Sequence, residues 1–183
     1  MTYTQIKEII TNKYSNFSGL NIEKGSFESL DLRGANFDKT CLIGAFFEEA
    51  DCGGANFTCA NLTGADFDNT YLEMANFSSA NLENCFFGRA TLNRANFYGS
   101  YIAGANFSKS DLSFAKGIRQ WQSACESGDI WYTVGSMFGA THKCGMFWGT
   151  TEEAIKYIRN QDGENSETEK LLLIYSNFVQ DEG

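Results

Sequence analysis

The sequence predicts an all-β solenoid of about five square coils over residues 15–116, with a short capping helix before it and a small α+β module after it. From Phe17 to Leu112 every fifth residue is apolar or Cys, and every second one of these 20 central sites is Phe. Two places before the central sites, 19 of the 21 residues from Ser15 to Ala115 are Ala, Ser, Thr, Cys or Gly. The period then fades, and residues 117–183 have a different composition.

The segment 1–14 is predicted to be an N-terminal cap. Ile6, Ile9 and Ile10 have the spacing of one face of a short amphipathic helix. Because a solenoid exposes apolar surface at its ends, we expect this helix to cover the first coil.

The five-residue period determines the predicted shape of the solenoid. It fits neither a helix, which repeats at about 3.6 residues, nor a strand, which repeats at about 2. It fits a chain that turns a corner after every five residues and closes a square after four sides. Coils stacked at the strand spacing of roughly 4.8 Å form a rod roughly 24 Å long. The central residues then fill the square beside the small ones, which predicts one buried stack of Phe37, Phe57, Phe77 and Phe97 and places Cys52 and Cys85 inside.

Residues 117–183 are predicted to form a C-terminal α+β module. Ile130–Val134 and Cys144–Trp148 have the composition of short strands, and Thr150 to Glu153 matches a capping box that opens a helix through about Asn160. Ser166 to Glu169 matches a second capping box. The segment has more aromatic residues than so small a unit can bury, so we expect it to join two copies in a homodimer. These residues are Trp121, Trp131, Tyr132, Phe138, Phe147 and Trp148.

The repeats ANFDK (35–39), ANFTC (55–59), ADFDN (65–69) and ANFSS (75–79) resemble the A(D/N)LXX motif of the pentapeptide-repeat proteins. The resemblance covers about 100 residues and implies a right-handed quadrilateral β-helix. Within the family, the best-defined activity is mimicry of duplex DNA by an acidic rod that binds a type II topoisomerase such as gyrase. The tail is similar to segments of phage- and prophage-encoded members, which suggests a phage-borne protein.

Composition limits the possible compartments and partners. The net charge is −9 and the pI about 4.6, which argues against direct nucleic-acid binding, because that requires Lys and Arg. No apolar run is long enough to span a bilayer. Six Cys without a secretory signal peptide fit a reducing compartment, so the expected location is the cytoplasm, or the host cytoplasm for a phage protein.

The sequence offers no catalytic constellation, and we expect a protein that is not an enzyme and uses no cofactor. His142 is the only histidine, so a nucleophile–base pair lacks a third, orienting group. Cys125, His142 and Cys144 supply three potential zinc ligands without a CxxC pair, where a structural site needs about four. Glycine-rich phosphate loops are absent.

The candidate binding residues lie at outward positions near one corner of the rod. Glu48, Glu49, Asp66 and Asp68 fall on one side, and Asp51 and Glu73 fall just around the corner; we call these six residues the acidic corner. Phe46 and Phe86 occupy outward positions on the same side, where the repeat motif has Asp or Asn. The acids form either a binding surface or an ordinary solvated face. The two Phe residues are either contact sites or covered by a neighbouring turn or the terminal module.

Two functions follow from these observations. The first is a protein-binding or scaffold protein, a rigid acidic rod that engages a protein partner with a basic surface. The alternative is a DNA mimic that binds gyrase or topoisomerase IV. Residues 15–116 hold 12 acidic and 7 basic residues, a net of −5, whereas the same length of duplex DNA carries about 14 negative charges. The charge therefore favours the first function.

Overall fold

The computed structural model describes residues 1–10, 15–122, 130–134, 141–144 and 147–162, and the single positions 169, 172 and 173. Helix α1 spans Tyr3–Ile10. The solenoid follows, and a four-stranded sheet comes after it: β1 (Ile118–Gln122), β2 (Ile130–Val134), β3 (Thr141–Cys144) and β4 (Phe147–Thr150). Helix α2 spans Thr151–Asp162. In the described part of the chain, no helix is long and apolar enough to cross a bilayer.

The predicted all-β solenoid is confirmed. Parallel bridges join each outward residue to the one 20 positions later, from Asn16↔Asn36 through to Asn96↔Lys116. Each corner is a turn closed by a backbone hydrogen bond, as where the Ala75 amide donates to the Leu72 carbonyl at 3.0 Å. The second of the two central residues of each turn has a positive φ, which makes the corner a type II turn. At some corners this residue is glycine, such as Gly54 (φ 66°). At others a residue with a side chain, such as Met74 (φ 59°), adopts the same left-handed conformation.

The central residues form the core in two Phe stacks. The predicted stack is confirmed, with ring centroids 4.9 Å apart for Phe37–Phe57, 4.9 Å for Phe57–Phe77 and 5.2 Å for Phe77–Phe97. A second stack of Phe27, Phe47, Phe67, Phe87 and Phe107 faces it. Rings of the two stacks meet edge to face, as for Phe57 and Phe67 at 5.6 Å. Such pairs are favourable beyond the apolar area that they bury.

The small residues two places before the central sites also point inward. Ala55, Ala75 and Ala95 have no exposed surface. Two threonines at this place donate to a carbonyl of the preceding coil: the Thr40 hydroxyl donates to the Phe17 carbonyl and the Thr70 hydroxyl to the Phe47 carbonyl, each at 2.8 Å. The Cys85 thiol donates in the same way to Leu62. Burial raises the pKa of both Cys52 and Cys85, so neither thiol ionises readily.

At the N-terminal end, Ile6 of α1 is fully buried in the same apolar cluster as Phe17. Ile9 and Ile10 pack against this cluster and are partly buried. The helix therefore contributes its apolar face to the first coil.

At the other end, β1 to β4 follow one another as an antiparallel sheet. The strand predicted at 130–134 is β2. The strand predicted at Cys144–Trp148 is wrong, because Cys144 ends β3 and pairs with Phe147, the first residue of β4. The chain therefore reverses between Cys144 and Phe147, and the apolar composition of this segment alone does not reveal the reversal. Strand β1 was not predicted.

The capping box before α2 is present. The Thr150 amide donates to the Glu153 carboxylate at 2.8 Å, and the Glu153 amide donates to the Thr150 hydroxyl at 3.4 Å. The bonds that the Thr150 amide and hydroxyl donate to the carboxylate lower the pKa of Glu153. Cys125, Phe138 and the second predicted capping box, apart from Glu169, lie outside the described residues.

Candidate functional site

The two outward Phe residues flank Asp66 on one side of the rod. Phe46 bridges to Asp66, and Asp66 bridges to Phe86, so the three residues form one column on successive coils. We call them the Phe46–Asp66–Phe86 column. Phe46 is 43% exposed and Phe86 is 47% exposed. The described residues therefore leave both rings open.

Backbone amides hold two carboxylates of this side in place. Asp66 Oδ1 accepts from the Asp68 amide at 3.0 Å. Asp68 Oδ1 accepts from the Gly88 amide of the next coil at 2.6 Å. A Cβ at Gly88 would lie 2.9 Å from that oxygen, so glycine makes the close approach of the Asp68 carboxylate possible. Asp68 therefore has a structural role as well as a charge.

Around the corner, the predicted acids are partly neutralised by arginines. Arg33 lies 2.6 Å from Asp31 and 3.5 Å from Asp51, while Arg94 lies 3.9 Å from Glu73. The Arg33 hydrogen bonds hold the pKa of Asp31 at about 2. Asp51 and Glu73 consequently contribute less to the field of the acidic corner than their formal charges suggest.

Glu48 and Glu49 are the freest acids of the acidic corner. Both are exposed, and no ion pair in the described part of the chain involves them. Together with the Phe46–Asp66–Phe86 column and Asp68, they form a negative, aromatic surface on the side of the rod that carries Phe46. The structure thus brings the eight predicted residues to one corner, with the uncompensated charge on the side of Phe46.

A groove on the neighbouring side was missed from the sequence. It has a volume of about 520 Å³ and forms where Gly53 and Gly54 leave the corner without side chains, between Arg33 and Glu73. Tyr71 and Met74 line it, and each is 60% exposed. A Gly-Gly pair at two outward positions is the sequence signal that could have revealed it.

A column of five Asn residues on the side opposite Phe46 forms a hydrogen-bond ladder: Asn16, Asn36, Asn56, Asn76 and Asn96. Asn36 donates to Asn16 at 3.2 Å, and Asn56 donates to Asn36 at 3.1 Å. Asn76 donates instead to the Thr58 hydroxyl at 3.0 Å, and Asn96 resumes the pattern by donating to Asn76. These amides serve the stacking of the coils.

In the described part of the chain, no three His, Cys, Asp or Glu side chains are placed to hold a metal ion. Four cysteines there are free thiols: Cys41, Cys52, Cys59 and Cys85. Strand β3 contains both His142 and Cys144. The described geometry offers a binding surface made of carboxylates and aromatic rings.

The chain is similar to known proteins in its repeat region. A family model described as a pentapeptide repeat region matches residues 20–97. Rfr23, a pentapeptide repeat protein from the cyanobacterium Cyanothece, is 18% identical over 59% of this chain and 93% of its own, with a TM-score of 0.46. A pentapeptide repeat protein from the Arabidopsis thaliana thylakoid lumen is 20% identical over 87% of this chain and 90% of its own, with a TM-score of 0.40.

A third similar structure is QnrB1, a plasmid-mediated fluoroquinolone resistance protein. It is 22% identical, with a TM-score of 0.33, and the match covers 55% of this chain and 62% of QnrB1. A search of curated proteins found no match.

Proposed function

The chain belongs to the pentapeptide repeat family by its repeat region at residues 20–97, and from this premise we propose that it is a non-enzymatic protein-binding or scaffold protein that engages a basic partner through the acidic corner. One observation carries the proposal: two exposed Phe rings lie on either side of Asp66, near Glu48 and Glu49, which form no ion pair in the described part of the chain. Exposed aromatics beside charges are typical of interface contact residues.

The electrostatics support a basic partner. Glu48, Glu49 and Asp66 lie on adjacent coils, and the repulsion between their charges is screened by water and salt. A basic surface would relieve this repulsion and would be steered toward it. The stacked core keeps the charges at fixed spacing, so little ordering cost arises on binding.

Mimicry of duplex DNA is the second candidate function. The carboxylates of Glu28, Glu48 and Asp68 occupy equivalent positions on three successive coils, which favours it. The net charge of −5 over residues 15–116, against about 14 negative charges on the same length of DNA, counts against it. Competition between this protein and duplex DNA for purified gyrase, measured across salt concentrations, separates the two functions: a DNA mimic displaces the DNA.

The proposal also includes a cytoplasmic location and a homodimer joined through residues 117–183. The accessible free thiols of Cys41 and Cys59 support a reducing compartment. The aromatic content of the C-terminal segment supports the dimer. Light scattering on the full chain should give twice the mass of one chain at micromolar concentration, and a monomer there would contradict the dimer.

Reversing the free charges of the acidic corner should slow association with the partner at least tenfold. The variant is Glu48→Lys with Glu49→Lys, because neither carboxylate has a structural hydrogen bond in the described structure. Lys already occupies the turn position of Glu49 in other repeats, at Lys24 and Lys39. The loss of attraction should appear in the association rate, which should also fall with salt in the wild type.

The matched control is Asp38→Lys with Glu83→Lys, which reverses two charges on the other sides. Proteins captured from a lysate of the source organism by each variant are compared, and association rates are measured for those that the wild type retains. Equal losses from both variants, or association indifferent to salt, would mean that the acidic corner is only solvated.

A further inference from the structure

We propose that the Phe46–Asp66–Phe86 column binds a single arginine side chain of the protein partner, with the guanidinium over the Asp66 carboxylate and between the two rings. This inference rests on the proposed function and names the chemical group that the surface recognises.

The carboxylate is already oriented for a cation. Asp66 is half-buried, and its Oδ1 accepts from the Asp68 amide at 3.0 Å. The other oxygen has no hydrogen-bond donor in the described part of the chain, and Asp66 forms no ion pair there. A guanidinium would supply charge-assisted hydrogen bonds to a group that binding need not reorder.

The two rings leave room for a flat cation between them. Phe46 and Phe86 lie two coils apart, about 10 Å along the rod. A planar group in contact with a ring on each face needs roughly 7–8 Å. The gap is wider than that, so the guanidinium can stack on one ring at a time, above the Asp66 side chain that lies between the rings. A guanidinium stacks on aromatic faces and is more weakly hydrated than an ammonium, so arginine suits this gap better than lysine.

The neighbouring charges favour one cation over a run of them. Glu48 and Asp68 lie two residues after Phe46 and Asp66, and each adds negative charge beside the column. On the following coils, Arg89 and Lys109 line a small cavity with Asp68 and Gly88. The negative surface ends at these two cations. They would repel a second basic residue of the partner that lay beyond the bound arginine.

The test titrates the full chain with the peptide acetyl-Gly-Gly-Arg-Gly-Gly-amide and follows backbone amide resonances by NMR. A peptide with citrulline in place of arginine keeps the shape and removes the charge. We expect the arginine peptide to shift the resonances of Phe46, Asp66 and Phe86, and the citrulline peptide to bind at least fivefold more weakly.

Variants then locate the site. Asp66→Asn should lower the affinity for the arginine peptide at least fivefold. The variant should fold normally, because Asn56 and Asn76 occupy the equivalent place on the opposite side and accept the same amide hydrogen bond there. Asp38→Asn, the same change on the opposite side, should have no effect. Phe46→Ala with Phe86→Ala should also weaken binding while Asp66 remains.

Equal affinity for the two peptides, an unaffected Asp66→Asn variant, or shifts centred on Tyr71 and Glu73 would overturn the arginine site. If one of these results occurs while the Glu48/Glu49 reversal still slows the partner, the proposed function survives without the site. If the peptide binds as expected but the reversal has no effect on any partner, the site exists and the proposed function is wrong.

Discussion

Replacing Phe57 by Ala should lower the free energy of unfolding by roughly 3–5 kcal/mol. The Phe57 ring is fully buried and stacks at 4.9 Å on Phe37 and on Phe77. It also meets Phe47 and Phe67 edge to face. Coils stacked at strand spacing cannot close over the missing ring, because the backbone hydrogen bonds fix their separation. The cavity therefore remains and adds to the lost burial.

Chemical denaturation of the wild type and the variant measures this loss. Phe46→Ala is the matched control, because it removes the same side chain from an exposed place on the opposite side of the rod, about half a coil away. It should change stability by no more than about 0.5 kcal/mol. Similar losses in the two variants would contradict the assigned inward and outward positions.

Replacing Ala75 by Leu should destabilise the solenoid by roughly 1–3 kcal/mol or more. Ala75 has no exposed surface, and Ala55 and Ala95 occupy the equivalent buried places on the coils to either side. Backbone hydrogen bonds of 2.9 Å join Ala55 to Asn76 and Ala75 to Asn96. The added carbons can fit only if these coils separate, which strains several such bonds at once.

The control for this variant is Ala103→Leu, the same change at a half-exposed turn position. Melting temperatures of the two variants are compared with that of the wild type. We expect a clear fall for Ala75→Leu and little change for Ala103→Leu. An unchanged melting temperature for Ala75→Leu would mean that the small residues do not face the core.

The solenoid could be predicted from the sequence because every five residues meet the same surroundings. A single rule, large apolar residue in the centre and small residue two places before, describes both Phe57 and Ala75. The outward position of Phe46 and Phe86 followed from the same count. Residues 117–183 have no such period, so β1 was missed and the reversal at Cys144–Phe147 was taken for one strand.

The pairing of outer charges could not be predicted, because it depends on where long side chains extend. Arg33 reaches Asp31 on its own coil and Asp51 on the next, and sequence position alone gives no preference. The same limit applies inside the core. Thr70 and Ser100 obey the same small-residue rule, yet the buried Ser100 hydroxyl finds no hydrogen-bond partner while Thr70 does. Only the placed atoms show this difference.

Carboxylate footprinting of the full chain, free and with its captured partner, tests the binding account most directly. Carbodiimide coupling of glycine ethyl ester labels accessible carboxylates, and mass spectrometry locates each label. The account predicts that labelling of Glu48, Glu49 and Asp66 falls several-fold in the complex, while that of Asp38 and Glu83 is unchanged. Protection of Asp38 and Glu83, or equal labelling of the acidic corner with and without the partner, would contradict it.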